Sequence, residues 1–136
     1  MYKKYIPYAT AKSVYDIDLN FFIKENVKTL VLDLDNTLDS YKLYHPQDKA
    51  KKLIEDIIAK GINPIIISNN KGKRVSSYAN DLNVPYINSA MKPFACKINK
   101  FVKNNKLNKD EMMLVGDQMI TDVKAAYRAK IRIILT

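Results

Sequence analysis

Three runs of consecutive apolar residues, Leu30-Val31-Leu32, Ile65-Ile66-Ile67 and Met112-Met113-Leu114-Val115, recur along the chain with helix-periodic segments between them. Continuous rather than alternating apolar runs are the pattern of strands buried on both faces. Such strands, separated by helices, dictate a parallel sheet with right-handed crossovers. The reading gives five strands, at 27–32, 63–67 (Pro64 at its start), 84–87, 112–115 and 131–135. Helices are predicted at 49–60, 73–82, 93–104 and 121–130, with a short one at 18–26. Leu53, Ile54, Ile57 and Ile58 share a face of the first, which Gly61 can end; Val75, Tyr78, Ala79 and Leu82 share a face of the second. Leu19, Phe22 and Ile23 are expected to point inward, residues 1–15 to be extended or irregular, and 36–48 to form a loop.

The polar residues that punctuate these elements carry the chemistry. Asp33-Leu34-Asp35-Asn36-Thr37 follows the first apolar run directly. Alternation puts its two carboxylates on one side of the chain, at the sheet edge where open α/β folds bind ligands. Two uncompensated acids there repel one another, and a divalent cation relieves the pair. An acidic pair alone is equally a pair of loop acids. Three further segments converge on the same edge: Ser68-Asn69-Asn70 after the second strand, Met91-Lys92-Pro93 at a predicted helix start, and Gly116-Asp117, with Thr121-Asp122 at the next helix start.

These motifs, in this order, resemble the haloacid dehalogenase superfamily of phosphoryl-transfer enzymes. The likeness spans residues 33–122, and its finer details (Asp-Leu-Asp-Asn-Thr-Leu, Ser-Asn-Asn, Lys-Pro, Val-Gly-Asp-Gln-x-x-Thr-Asp and the preamble Tyr15-Asp16-Ile17-Asp18-Leu19) are similar to the phosphatidylglycerophosphate phosphatase branch. The resemblance implies a Rossmann-like three-layer α/β sandwich. Its five-stranded, mainly parallel sheet has strand order 5-4-1-2-3, counted along the chain. One domain over 1–136 follows, with 1–26 as an extension packing on the core.

The chemistry stands without the likeness. A phosphate monoester yields to an in-line nucleophile whose charge is neutralised by a metal and by cations. Asp33 is the candidate nucleophile, passing through an aspartyl-phosphate. Asp35 is the candidate general acid and then base. Mg²⁺ takes few carboxylates and keeps waters, which suits Asp33 and Asp117 with the Asp35 carbonyl. Lys92 is a catalytic point charge for phosphate and Asp33. Ser68, Asn69 and Thr37 are candidate substrate contacts, although amides in turns, Asn36 included, are commonly structural and Thr37 also reads as a loop organiser. By the resemblance Asp122 orients Lys92 or a metal-bound water; equally it reads as a helix cap.

Spacing removes one familiar feature. Asp33 and Ser68 are 35 positions apart, Ser68 and Lys92 24, and the predicted elements consume both intervals. No cap domain fits, so an open site for bulky phosphoesters is expected: a lipid head group, a protein or a nucleic acid. Five of the 14 acids lie in or beside the site (Asp33, Asp35, Asp39, Asp117, Asp122), leaving nine acids against 23 bases elsewhere. That surplus attracts anionic lipid or nucleic acid, but charge alone more commonly marks only a solvated surface. Tyr2, Tyr5, Tyr8 and Tyr15, interleaved with Lys3, Lys4 and Lys12, fit a membrane interface or a sheet edge.

No apolar run is long enough to span a bilayer, and Met1 to Pro7 lack a secretory core. Cys96, the only cysteine, excludes an intrachain disulfide and is expected to pack inside a helix beside Phe94, Ile98, Phe101 and Val102. His45, the only histidine, excludes a histidine-rich zinc site. A cytoplasmic enzyme, free or peripheral at the membrane's inner face, is the expectation. A P-loop is excluded because Asn70-Lys71-Gly72-Lys73-Arg74 lacks the glycine spacing. A receiver domain is disfavoured because both acids bracket one residue on a single strand. The reading is a Mg²⁺-dependent phosphatase, with phosphatidylglycerophosphate as favoured substrate. Nucleotides, sugar phosphates or nucleic-acid ends are the alternative, and a non-catalytic basic binding module is the third. Lys130 stands where relatives in the branch end a helix with glycine.

Overall fold

Alternation inside the apolar runs assigns each strand residue to one of two cores. The computed structural model describes residues 6–70 and 72–136. Strand β2 (Thr29–Asp33) is buried at all five positions. Leu30 and Leu32 join one apolar cluster and Val31 the other. The same division separates Ile66 from Ile65 and Ile67 in β3 (Asn63–Ile67), and Met113 and Val115 from Met112 and Leu114 in β5 (Met112–Gly116). Each fully buried aliphatic side chain contributes about 1.5–3 kcal/mol, so a register slip of one residue would exchange whole cores and is strongly disfavoured.

Six parallel strands form one sheet, in the order β1-β6-β5-β2-β3-β4. The five predicted strands hold their expected order. The sixth is β1 (Ala9–Thr10), a two-residue edge strand in the stretch read as irregular, pairing Ala9 with Ile134 of β6 (Arg132–Leu135). Strand β4 is shorter than predicted, Tyr86–Ile87. Helices α1 (Leu19–Lys24), α2 (Asp48–Ala59) and α3 (Lys73–Leu82) cover one face; α4 (Cys96–Asn104) and α5 (Lys124–Ala129) cover the other.

Asp18 caps α1 by accepting from Asn20 N at 2.9 Å, and Phe22 is its buried residue. Ile23 and Ile58 correct the expected inward faces. Both are about half exposed, Ile58 because it lies at the margin of the stripe made by Ala50, Leu53, Ile54 and Ile57. Gly61 takes φ +81° after α2, as a helix-ending glycine should, and Lys130 takes φ 60° after α5, a conformation that costs a residue with a Cβ more.

Two predicted helices start later than expected. Lys92 and Pro93 lie in a turn joined by a cis peptide bond, and α4 begins only at Cys96. The Lys92 backbone is engaged elsewhere: its N–H donates to Asn69 Oδ1 at 2.8 Å, and its carbonyl accepts from Asn69 Nδ2 at 3.0 Å. With the start displaced, Ile98 and Val102 face the core, while Cys96 and Phe94 are exposed, against the packed cysteine expected. The 121–130 helix is likewise split. A π-helical turn, Met119–Val123, precedes α5. Such turns insert a residue and re-aim a side chain.

Candidate active site

Parallel strands deliver the ends of β2, β3 and β5 to one edge, and with them Asp33, Ser68 and Gly116-Asp117. The loop after β4 brings Lys92 to the same place. Ser89 (φ 48°) and Met91 (φ 61°) hold left-handed backbone in that loop, a local cost that fixes where the lysine emerges.

Lys92 Nζ lies between two carboxylates, 2.7 Å from Asp33 Oδ1 and 2.5 Å from Asp122 Oδ1. All three side chains are almost wholly buried. Thr37 Oγ1 donates to the second oxygen of Asp33 at 3.2 Å. Asp122 Oδ2 accepts from Gln118 N at 3.1 Å, so the same side chain fastens its turn and touches Lys92. It reaches this position because Gly116 has no side chain: a Cβ there would lie 2.5 Å from Asp122 Cγ.

Asp35 faces the other way. Its Oδ1 accepts from Arg74 Nη1, and its Oδ2 accepts from Ser68 Oγ at 3.0 Å and Asn70 Nδ2 at 2.8 Å. The two acids of the first motif therefore have separate counter-ions, Lys92 for Asp33 and Arg74 for Asp35. Arg74 escaped the sequence reading, which includes Asn70 in the Ser68-Asn69-Asn70 segment without giving it a role. The available signal was phase: Arg74 occupies the first position of the stripe Val75, Tyr78, Ala79 on α3, where a charged residue must find a buried partner.

The loop after β2 has its own anchor. Asp39 is buried, accepts from Tyr78 Oη at 2.5 Å and from Gln47 N at 3.1 Å, while Tyr15 Oη donates to Leu38 O at 2.6 Å. Burial, first, and the neighbouring Asp39 charge hold both phenols well above their ordinary pKa. Asn36 shapes the turn at φ 62°, a conformation asparagine tolerates. His45 Nδ1 lies 2.5 Å from Asp81 Oδ2 at the loop's exposed rim. Tyr8 stacks under Arg132 at 5.5 Å. Tyr2, Lys3, Lys4, Tyr5 and Lys71 lie outside the described residues.

Carboxylate oxygens of Asp33, Asp117 and Asp122 come within 4.8 Å of one another. Three acids against one lysine leave an excess of negative charge around hard oxygen donors, which fits a divalent cation. Asp122, read as a supporting residue, thus stands in the acid cluster beside Asp33 and Asp117. Burial pushes Asp33 up to about 7, with Lys92 lowering it and Asp122 raising it further. Asp117 is also raised, by burial first. Burial opposes the Lys92 charge, but Asp33 and Asp122 more than offset it and raise its pKa.

A stability prediction follows from the sign. The folded protein holds the Asp33 proton up to about 7, against 3.8 for the ordinary group. Between those values the folded state binds more protons, so the Asp33 contribution to metal-free stability is full below about pH 4 and is lost as pH rises through about 7. A cation that displaces the proton is favoured by the same rise. Saturating Mg²⁺ should therefore raise the melting temperature more at about pH 8 than at about pH 5. Equal shifts at both would count against cation and proton sharing this cluster.

These acids line a cavity of about 100 Å³, together with Asp35, Asn69 and Lys92. That is well short of the ~300–1,000 Å³ that encloses a whole small molecule, so only the reacting group is engulfed. A larger groove, about 360 Å³ beside α5 and β6, is lined by no acid among the described residues.

At its carboxyl edge the parallel sheet holds a buried aspartate, a lysine and an acid cluster, groups suited to an anionic substrate and a divalent cation. A family model described as haloacid dehalogenase-like hydrolase matches residues 2–136. The chain belongs to that family. It is 32% identical over 126 residues to the probable phosphatase YqeG of Bacillus subtilis (strain 168), covering 93% of this chain and 73% of that protein. A solved structure of a hypothetical protein from Xanthomonas campestris superposes with TM-score 0.64 at 15% identity, covering 95% of this chain and 74% of the other. The cobalt-bound deoxy-D-mannose-octulosonate 8-phosphate phosphatase of Haemophilus influenzae superposes at 0.58 and 14% identity, covering 68% and 60%. These two share the fold.

Proposed function

We propose that this hydrolase is a Mg²⁺-dependent phosphomonoester phosphatase acting through an aspartyl-phosphate on Asp33. The observation that carries the reading is the Asp33 carboxylate, fixed by Lys92 and Thr37 in a cavity that admits little more than a phosphoryl group. Asp33, Asp117 and Asp122 would hold the cation, which supplies charge neutralisation for the phosphoryl oxygens. Asp33 attacks phosphorus. Lys92 keeps that carboxylate aimed and balances phosphoryl charge. Ser68 Oγ gives its one hydrogen to Asp35 and would turn it to a phosphoryl oxygen when substrate is bound. Asp35 gives a proton to the leaving oxygen and takes one from the water that releases phosphate. Asn69 acts through the Lys92 backbone. The probable phosphatase YqeG, similar over most of its length, supports the reaction class.

Phosphatidylglycerophosphate is the favoured substrate. Among the large exposed apolar side chains, Tyr41 and Tyr44 lie in the loop after β2, Met91 and Phe94 flank Lys92-Pro93, and Met119 opens the turn after Asp117. Arg128 stacks over Phe94 at 5.3 Å. Amphipathic and basic groups around a site that engulfs only the phosphate suit a head group presented by an anionic lipid surface. No helix among the described residues is long and apolar enough to cross a membrane, so such contact would be peripheral.

The test is phosphate release from phosphatidylglycerophosphate in mixed micelles, beside nucleotide, sugar-phosphate and aryl-phosphate substrates, with Mg²⁺ and with chelator. Metal-dependent turnover that prefers the micellar lipid is expected. Preference for a soluble ester keeps the phosphatase and removes the lipid, and no turnover of any ester overturns the reading.

A further inference from the structure

Arg74 is 6% exposed, yet it belongs to none of the motifs at the strand ends. Its guanidinium is committed in three directions. Nε donates to Leu43 O at 2.6 Å, Nη2 to Ser40 O at 2.7 Å, and Nη1 to Asp35 Oδ1. A buried guanidinium needs an anionic partner and matched acceptors; here the anion is one candidate catalytic acid, and the acceptors are two carbonyls of the loop that carries Tyr41. We propose that Arg74 is a positioning residue that locks the Asp35 carboxyl to the loop at residues 40–43, so that proton donor and substrate-facing loop move as one body.

The inference rests on the phosphatase reading and deepens it. In the first step a bond forms between Asp33 and phosphorus, the bond from phosphorus to the leaving oxygen breaks, and that oxygen receives a proton that Asp35, the anionic partner of Arg74 in the structure, first takes from solvent. In the second, water attacks phosphorus, its proton passes to the Asp35 carboxylate, and the bond to Asp33 breaks. Both steps need Asp35 at one angle. Ser68 and Asn70 hold its other oxygen, but both are neutral, and they cannot align the carboxyl with the loop. A planar fork can, and a lysine at the same place offers only a point charge.

The experiment compares Arg74→Met and Arg74→Lys with the wild-type protein in Mg²⁺. Two esters are used: p-nitrophenyl phosphate, whose leaving group needs no proton, and the alkyl phosphomonoester that wild type turns over fastest. Alkyl turnover should fall about 10²-fold or more in Arg74→Met. Nitrophenyl phosphate should still give a burst of nitrophenolate stoichiometric with enzyme, then a slow phase, because only phosphoenzyme hydrolysis is impaired. Arg74→Lys should keep the fold and show the same split more mildly; if Arg74→Met does not fold, that variant is read instead. A merely structural role slows phosphorylation by both esters alike and removes the burst. Loss of the nitrophenolate burst alongside alkyl turnover, or alkyl turnover within about threefold of wild type, overturns the inference while leaving the phosphatase in place. A wild-type protein that turns over neither ester overturns the phosphatase reading, and this inference with it.

Discussion

Asp33→Asn should abolish turnover, by roughly 10⁴-fold or more, and leave the fold standing. The amide keeps the size of the side chain and can accept from Lys92 Nζ with its oxygen while its NH₂ donates to Thr37 Oγ1, but it is a poor nucleophile and cannot form the acyl phosphate. Its effect on stability separates chemistry from folding. Burial disfavours the Asp33 charge enough to raise its pKa to about 7, so a neutral residue there relieves metal-free protein wherever that charge is present. Lys92 keeps Asp122 as a partner at 2.5 Å. Above about pH 7 the metal-free variant should melt at or above the wild-type temperature, and Mg²⁺ should raise its melting point less, because one of three carboxylates is gone. Phosphate release by Asp33→Asn at near wild-type rate would remove Asp33 from the nucleophile's role. A large fall in melting temperature would mean that the carboxylate is structural.

The residues that could be read from the sequence are those whose signal is local. Asp33, Ser68 and Gly116-Asp117 each follow a short apolar run, and such runs alternating with helices read as interior strands of a parallel sheet, so their convergence follows from topology. The misreadings have causes far away in the chain. Nothing near Lys92 announces that Asn69, 23 positions earlier, takes both of its backbone hydrogen bonds. Without that knowledge Pro93 looks like a helix start and Phe94 and Cys96 look like part of the packed stripe, whereas only Ile98, Phe101 and Val102 of that set pack inward. Arg74 was hidden by abundance: among 23 basic residues its charge is no signal, and only its place in the α3 stripe distinguishes it. Strand β1 is two residues long and is held by Tyr8 N donating to Ile133 O and by Ala11 N donating to Leu135 O, interactions no local pattern foretells.

Gly116→Ala tests how tightly the acid cluster is packed. The glycine is needed for closeness, since its φ is not in the left-handed region. An added Cβ would meet Asp122 Cγ and Oδ2 at 2.5 Å and its Cβ at 2.7 Å. Asp122 is 1% exposed and held by Lys92 and by Gln118 N, so it cannot swing aside without breaking one of those bonds. Overpacking of this kind costs about 1–3 kcal/mol, roughly 3–10 °C in melting temperature for a chain of this size. The displacement passes directly to Lys92 and so to Asp33, and a misplacement near 1 Å is enough to cost about 10²-fold in rate. Gly72→Ala is the control: a Cβ there meets nothing within 4 Å, so its cost should be much smaller and its activity near wild type. The informative comparison is between the two losses at Gly116. If stability falls while the rate per folded molecule holds, Asp122 serves the turn at Met119–Val123 alone; if both fall, the same carboxylate caps that turn and aims Lys92, which is what its two oxygens, bonded to different partners, lead us to expect.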